Sequence, residues 1–387
     1  MKAIINGTIC TPNEVIEDGV LIIDGATIHA MGNLEALPVP ANAEIIDARG
    51  KWVTPGLIDI HTYGCLGVAL TAPERVATEL PALARHVARF GVTRFLVSPM
   101  IGDRAFITRM LAMLAAVLPD VRAGALPLGI HLEGPWLDPA QHGAFPLEFL
   151  HAPTLSEARE YLDAAGGWLR VVTLAPNLPN AREVAHFLHE NGVRVSLGHT
   201  NTDYACASEA LASGDYALVT HVYNAMSGLH HRNPGVLGAV FSSDRIYGML
   251  ICDGIHTHPA AAQILFRALG TDRVILVTDA SPGGGMTEGS FTMLNQTATI
   301  VDGTARLPDG TLAGSILTLN QAVQNAQKFA CLSMSEAVQM ASVNPARVLG
   351  LWDMGSLNAG ADADIVVMDQ DGNVSLTMVA GETVYQA

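Results

Sequence analysis

The alternation of apolar and polar positions divides the chain into three zones. Residues 1–55 consist of short β-like runs separated by turn signals such as Asn6-Gly7 and Asp18-Gly19. Residues 351–387 repeat this style, with a strand-like run at 364–368 followed by turn residues. Two β-rich ends around a different middle predict one small β domain, built from residues 1–55 plus 351–387.

The middle zone, residues 56–350, alternates strand-like and helix-like segments. Each strand-like segment is a nearly continuous apolar or β-branched run, and most are followed by a segment with helical periodicity. This succession is typical of a parallel sheet covered by helices, and eight units over about 300 residues favour a (β/α)8 barrel. An open doubly wound sheet is the alternative, although no G-x-G-x-x-G turn follows the first strand. The predicted strands are Leu57–Ile60, Thr93–Val97, Leu128–Leu132, Val171–Leu174, Val193–Leu197, Leu218–Val222, Tyr247–Cys252 and Val274–Thr278.

The composition narrows the classes of protein and partner. With 21 Lys+Arg against 37 Asp+Glu, the formal net charge is −16, which disfavours a nucleic-acid partner. Hydrophobic residues make up 49%, which argues against disorder, and no apolar run approaches the length of a membrane span. The five cysteines form no C-x-x-C pair and the N-terminus lacks a secretory pattern, so we expect a cytoplasmic protein with free thiols.

Polar side chains that can bind a metal ion stand at the carboxyl ends of the predicted strands. Glu133, His199, His221 and Asp279 belong to the ends of strands three, five, six and eight. One such residue alone is ordinarily explained by a structural hydrogen bond or a helix N-cap. In a barrel all four converge on one mouth, where barrel enzymes hold their catalytic groups, so the pattern predicts a metal site. We expect the nearby His131 to pack structurally.

At these residues the chain resembles the N-acetylglucosamine-6-phosphate deacetylase family of the amidohydrolase superfamily. The strings H-L-E-G-P and H-x-x-N-A-M are specific to that family, whereas P-G-x-I-D-x-H marks only the superfamily. The matching stretches, in the right order along nearly the whole chain, are Pro55–His61, His131–Trp136, Leu197–Thr200, Thr220–Met226, His230–Gly235, Asp253–His256, Leu276–Ala280 and Leu312–Ser315. The resemblance implies a (β/α)8 metal-dependent hydrolase barrel plus a β-sandwich formed by both termini.

The resemblance also implies the chemistry, which is metal-dependent hydrolysis of the N-acetyl amide of an amino-sugar 6-phosphate. Glu133, His199 and His221 would bind one divalent metal ion, with zinc preferred over iron or another divalent ion. Asp279 would be the general base that takes a proton from the attacking water and returns it to the departing amine.

The same resemblance implies the substrate contacts and a homodimer. Asn224 and the backbone at Ala225 would hold the sugar phosphate, and His256 would contact the sugar. Arg232 would bind the phosphate, reaching across from the neighbouring subunit of the dimer. The other substrate-contacting positions that it implies are His61, His142 and Leu319.

Two strings depart from the family pattern. Members with two metal ions carry His-x-His after the first strand, where this chain has His61-Thr62-Tyr63. We therefore predict one metal ion, with His61 left lining the pocket. The loop after H-L-E-G-P usually carries a Lys-Gly-x-His-like string, and here Phe145 replaces the histidine that contacts substrate. His142 is the candidate residue that would contact the substrate in place of that histidine, from a shifted position in the same loop.

Related chemistries and a non-catalytic role are the alternatives. Hydantoinase-like enzymes need a carbamylated lysine on strand four, but the three lysines, Lys2, Lys51 and Lys328, lie elsewhere. Adenosine-type deaminases need the intact His-x-His pair. Two questions stay open. One is whether the sugar is N-acetylglucosamine-6-phosphate, its galactosamine epimer or another N-acyl sugar, and the other is whether a metal-free barrel only binds sugar phosphate.

Overall fold

The computed structural model describes residues 1–12, 14–293, 296–310 and 312–387. In these ranges eight parallel strands pair in chain order, and an isolated bridge between Thr62 and Ala280 joins the first strand to the end of the eighth. The barrel strands are Leu57–Thr62, Val92–Val97, Leu126–Glu133, Leu169–Leu174, Arg194–Leu197, Tyr216–Val219, Tyr247–Ile251 and Val274–Val277. Nearly every residue in them is buried, because helices cover the outside and side chains fill the interior. The predicted (β/α)8 barrel is confirmed.

Helices surround the barrel, and several begin at short polar side chains. Asp103, Thr154 and Asp203 each accept a hydrogen bond from the backbone N–H three residues later, which satisfies a free donor of the first turn. The α-helices are Val76–Ala88, Arg104–Val117, Leu155–Ala165, Ala181–Glu190, Tyr204–Ala212, Gly235–Phe241, Pro259–Leu269, Leu319–Ala330, Met334–Ala341 and Val343–Val348. Short 3-10 helices are Pro73–Arg75, Leu118–Asp120, Pro139–Gln141 and Leu147–Phe149. Within the described ranges no helix is long and apolar enough to cross a bilayer.

Both ends of the chain contribute to one mixed sheet outside the barrel. Its strands are Lys2–Cys10, Val15–Asp24, Thr27–Asn33, Glu44–Asp47, Trp52–Pro55, Ile365–Met368, Val374–Val379 and Glu382–Gln386. Trp52–Pro55 pairs antiparallel with Ile365–Met368, which joins the N-terminal strands to the C-terminal ones. Apolar side chains from both ends, among them Leu21 and Met378, share a core. The β unit predicted from both termini is therefore confirmed, whereas its boundaries at residues 55 and 351 stay predictions.

A small antiparallel sheet between the eighth barrel strand and helix Leu319–Ala330 was not predicted from the sequence. Its strands are Gly289–Met293, Gln296–Val301 and Thr304–Arg306. Each strand contributes only one or two buried apolar residues, Phe291 from the first, Ala298 and Ile300 from the second and Ala305 from the third, so the apolar alternation is too short to stand out. Two further strands of two residues each, Gly64–Cys65 and Val68–Ala69, follow the first barrel strand.

A buried ion pair connects the barrel to the terminal sheet. Arg94, on the second barrel strand, is 8% exposed, and its Nε donates to Asp364 Oδ2 at 2.5 Å. One terminal nitrogen of the same guanidinium donates to Asp364 Oδ1 at 3.2 Å and to Asp362 Oδ2 at 2.9 Å. This forked arrangement satisfies the buried charges and fixes the position of the sheet on the barrel.

Replacing Arg94 by methionine is expected to lower the free energy of unfolding by about 3–5 kcal/mol, because Asp364 would stay buried without its counter-ion. Urea denaturation measures this change. The matched control is Arg182→Met, since Arg182 pairs with Glu209 on the surface, where the two side chains are 83% and 70% exposed. Equal, small effects of both substitutions would show that the buried pair does not stabilise the contact.

Candidate metal and active site

Three candidate metal ligands meet at the mouth of the barrel. Glu133 is the last residue of the third strand, whereas His199 and His221 lie two residues beyond the fifth and sixth strands. Glu133 Oε1 lies 3.1 Å from His199 Nε2 and 2.9 Å from His221 Nε2. The two Nε2 atoms are 3.1 Å apart, and all three residues are buried. The structure thus brings the three predicted metal ligands together.

The chemistry of these three donors fits a divalent cation. His199 Nδ1 donates to the carbonyl of Gln141 at 2.7 Å, and the tautomer that carries its proton on Nδ1 presents a lone pair on Nε2. That lone pair faces an oxygen of Glu133, which is also a hydrogen-bond acceptor. Two acceptors face each other in this way when a cation lies between them. Atoms that share one zinc ion at ~2.0–2.1 Å lie roughly 3 Å from one another, which is the spacing of this cluster. Two imidazoles and one carboxylate also leave coordination positions open for water or substrate.

Asp279 and His61 lie beside the three ligands. Asp279 follows the eighth strand by two residues, and its backbone N–H donates to the carbonyl of His61 at 2.8 Å. His61 Nε2 lies 3.3 Å from both Asp279 Oδ1 and Glu133 Oε2, and its Nδ1 is 2.9 Å from Ser98 Oγ. His61 is 0% exposed and lies beneath the cavity. The prediction that His61 lines the pocket was therefore wrong.

The pKa values of the two carboxyl groups of the site are shifted in opposite directions. Burial raises the pKa of Asp279 above its ordinary value, although the imidazole of His61 opposes this. Burial also acts to raise the pKa of Glu133, but the neighbouring imidazoles outweigh it and hold that pKa well below its ordinary range. Burial lowers the pKa of His61, yet the two carboxylates outweigh it and raise that pKa to about 9. Glu133 is therefore suited to remain an anionic ligand, and Asp279 is suited to carry a proton.

The backbone is strained where it presents these side chains. His199, His221 and Asp279 have φ values of 46°, 27° and 46°, in the left-handed region that residues with a side chain rarely adopt. Tyr223 and Ala225, in the turn after the sixth strand, have φ values of 84° and 50°. Such conformations cost of order 1–3 kcal/mol each and are retained where the surrounding fold holds them for a function. Their clustering supports the assignment of this region as the active site.

The ligands and Asp279 open into a cavity of about 350 Å³. Three of the predicted substrate contacts, Asn224, Ala225 and His256, line the same cavity. The side chain of His256 is oriented from behind, because its Nδ1 lies 2.6 Å from Asp253 Oδ2. The complete lining is Tyr63, Met100, Glu133, Gly143, Ala144, Phe145, His199, His221, Asn224, Ala225, Ile251, His256, Asp279, Ser281, Met293, Leu312 and Gly314.

Three other predicted substrate contacts do not line the cavity within one subunit. Leu319 is 0% exposed in the protein core at the start of its helix, so its assignment is corrected, and Leu312 of the matching stretch lines the cavity instead. His142 Nδ1 lies 3.0 Å from the carbonyl of Phe145, and the wall is formed by the three residues that follow His142. Arg232 is exposed, and its guanidinium contacts the neighbouring His231 at 2.8 Å.

Tyr63 and Met293 line the cavity, although neither is predicted from the sequence as a site residue. Tyr63 stands one residue beyond the first barrel strand, in the His61-Thr62-Tyr63 string where two-metal members of the family carry His-x-His, and that position was an available signal. Met293 belongs to the small inserted sheet, for which no signal was found. His131 is structural as expected, with Nδ1 3.0 Å from the Ile60 carbonyl and Nε2 2.8 Å from Thr173 Oγ1.

A larger groove, of about 970 Å³, contains none of these side chains. Residues of helix Ala181–Glu190 and of the segment 213–215 form most of its lining. It lacks a cluster of three metal-capable ligand atoms among the described residues. The smaller cavity at the barrel mouth is therefore the candidate active site.

Comparison with known proteins agrees with this geometry. The model of the amidohydrolase family matches residues 52–384. The chain is similar to the N-acetylglucosamine-6-phosphate deacetylase of Bacillus subtilis, with 35% identity over 97% of this chain and 95% of that protein. It is also similar to the N-acetylgalactosamine-6-phosphate deacetylase of Escherichia coli O157:H7, with 34% identity over 89% of this chain and 90% of that protein.

A solved structure shares the fold over the whole length. It is a mutant of the N-acetyl-D-glucosamine-6-phosphate deacetylase from Mycobacterium smegmatis in complex with N-acetyl-D-glucosamine-6-phosphate. The two chains are 31% identical, with a TM-score of 0.91 and coverage of 100% of this chain and 99% of that chain. The chain therefore belongs to the amidohydrolase family and, within it, to the N-acetylglucosamine-6-phosphate deacetylase family.

Proposed function

We propose that this protein hydrolyses the N-acetyl amide of N-acetylglucosamine-6-phosphate to glucosamine-6-phosphate and acetate. The observation that carries the proposal is one cavity that holds a three-ligand cluster, the carboxyl of Asp279 and the polar side chains of Asn224 and His256. The substrate named for the relatives supports the same reaction. We also infer a cytoplasmic location, since the five cysteines are unpaired, as in a reducing compartment.

We infer that Glu133, His199 and His221 hold one divalent ion, with zinc as the first candidate and iron or another divalent ion as alternatives. Imidazole and carboxylate ligands suit each of these ions. When bound, such an ion supplies polarisation of the acetyl carbonyl and activation of the attacking water. The carboxylate of Glu133 balances part of its charge inside the buried site.

Asp279 carries the proton transfers in this proposal. Its carboxylate takes a proton from the attacking water and delivers it to the amide nitrogen as the C–N bond breaks, so that the amine leaves neutral. His61 Nε2 lies 3.3 Å from Asp279 Oδ1, so the imidazole attracts the carboxylate electrostatically. The raised pKa of Asp279 suits a group that must both accept and return a proton.

Asn224, the backbone at Ala225 and His256 hold the sugar phosphate in this proposal. His256 Nδ1 is engaged with Asp253, so its Nε2 is the ring atom available to the sugar. Burial lowers the pKa of His256, but its hydrogen bond to Asp253 outweighs this and raises it. The raised pKa favours the charged form of the imidazole, which suits an anionic substrate. We further infer a homodimer in which each subunit lends Arg232 to the phosphate of the other.

Arg232→Ala is expected to raise KM for N-acetylglucosamine-6-phosphate by more than tenfold and to change KM for unphosphorylated N-acetylglucosamine little. The reason is that a guanidinium binds a phosphate through charge-assisted hydrogen bonds, worth about 1.5–3 kcal/mol. Steady-state kinetics on both sugars measure the difference, with Arg182→Ala as the control for loss of an exposed arginine. Equal effects on both sugars would show that Arg232 does not bind the phosphate.

The galactosamine epimer is the second candidate substrate, because a relative of nearly equal similarity acts on N-acetylgalactosamine-6-phosphate. Acetate release from the two sugar phosphates and from unphosphorylated N-acetylglucosamine, compared by kcat/KM, decides between them. The proposal expects the highest value for N-acetylglucosamine-6-phosphate. A higher kcat/KM for the epimer would make the epimer the substrate. If no acetate were released from any of the three sugars, the protein would be one that only binds sugar phosphate.

A further inference from the structure

Tyr63 contacts the second oxygen of the ligand carboxylate. Its hydroxyl donates a hydrogen bond to Glu133 Oε2, whereas Oε1 faces the two histidine ligands. The tyrosine is 6% exposed and lines the active-site cavity. One oxygen of Glu133 therefore faces the two histidine ligands, and the other accepts a hydrogen bond from the phenol.

The surroundings of Glu133 Oε2 could themselves accommodate a cation. His61 Nε2 lies 3.3 Å from this oxygen and 3.3 Å from Asp279 Oδ1, and within the described residues it has no hydrogen-bond partner. His61, Asp279 and His221 also form a second group whose ligand atoms lie within 4.8 Å of one another. This corner of the site thus contains ligand atoms at metal-binding spacing, and Tyr63 occupies it with a neutral group.

We propose, on the basis of the function proposed above, that Tyr63 is a positioning residue that takes the place of a second metal ion. Its O–H fixes Glu133 so that Oε1 stays directed at the single ion bound with His199 and His221. A neutral phenol whose O–H donates a hydrogen bond to Glu133 offers no anionic oxygen to a cation, so the corner beside His61 stays without metal. Each subunit consequently binds one ion.

The first test measures the affinity for zinc. Tyr63→Phe removes only the hydroxyl, and zinc titrated into metal-free protein against a chromophoric chelator should bind about 10–100-fold more weakly, as is typical when a partner of a metal ligand is lost. The matched control is Tyr216→Phe, because Tyr216 is a buried tyrosine of the sixth barrel strand whose hydroxyl lacks a hydrogen-bond partner among the described residues. Equal zinc affinity in both variants would overturn the positioning role.

The second test counts metal ions. Tyr63→His replaces the phenol by an imidazole beside His61, and after saturation with zinc and gel filtration it should contain two zinc ions per subunit by elemental analysis, against one in the wild-type protein. One ion in the variant would overturn the claim that Tyr63 occupies the second position. Neither test uses a sugar, so failure of the wild-type protein to release acetate would contradict the proposed function without changing either result.

Discussion

Replacing Asp279 by asparagine is expected to lower kcat for acetate release by about 10²–10⁴-fold, the usual contribution of a general acid–base group. The amide has the size and shape of the carboxylate, and the backbone contact from Asp279 to the carbonyl of His61 does not depend on the side chain. An amide cannot accept the proton of the attacking water, however. The loss should therefore appear in kcat, with the fold and the metal content retained.

Kinetics, elemental analysis and thermal unfolding of the Asp279→Asn protein together test this role. Asp215→Asn is the control, because Asp215 pairs with His186 and is not among the residues that line the active-site cavity. Near-normal turnover of the Asp279 variant would show that another group takes the proton. A variant without metal would mean that Asp279 is itself required for metal binding.

Glu133→Gln is expected to abolish both bound metal and acetate release. The substitution keeps the size of the side chain but removes the negative charge between His199 and His221. The loss of metal affinity should exceed the ~10–100-fold that follows when a residue behind the ligands is removed. Elemental analysis of the purified variant gives the metal content, and an acetate assay gives the turnover.

Glu157→Gln is the matched control for this loss. Glu157 is also a buried carboxylate, and it accepts hydrogen bonds from Trp136 and Tyr161. Its replacement should lower stability and leave the metal content at one ion per subunit. If Glu133→Gln retained the metal ion, the cluster of Glu133, His199 and His221 would not be the metal site.

The barrel could be predicted because strands buried on both faces are nearly continuous apolar runs. The predicted strand Val274–Thr278, for example, differs from the observed Val274–Val277 by one residue. The meeting of Glu133, His199, His221 and Asp279 followed from the same reasoning, since the carboxyl ends of barrel strands lie at one mouth whatever the loops do. Their separate roles as metal ligands and base came from the resemblance and stay predictions. His199, His221 and Asp279 each stand two residues beyond an observed strand. The predicted sixth strand ran to Val222 and so included His221, but the end of the strand still faced the same mouth.

Contacts between segments distant in the chain could not be predicted in this way. Apolar alternation does not show whether His61 forms the wall of a cavity or lies beneath it, because that depends on the side chains above it. The hydrogen bond from Tyr63 to Glu133 joins residues 70 positions apart. Leu319, predicted as a substrate contact, lies outside the matching stretch Leu312–Ser315 and is buried in the core, whereas Leu312 of that stretch lines the cavity. The proposed position of Arg232 requires a second subunit.

The most direct test of the account measures acetate released from N-acetylglucosamine-6-phosphate by one preparation in three states: as purified, after removal of metal with a chelator, and after addition of one equivalent of zinc. We predict turnover in the first state, its loss in the second and its recovery in the third, with the metal content changing in parallel. Undiminished turnover by metal-free protein, or no acetate from protein that contains one metal ion per subunit, would contradict it.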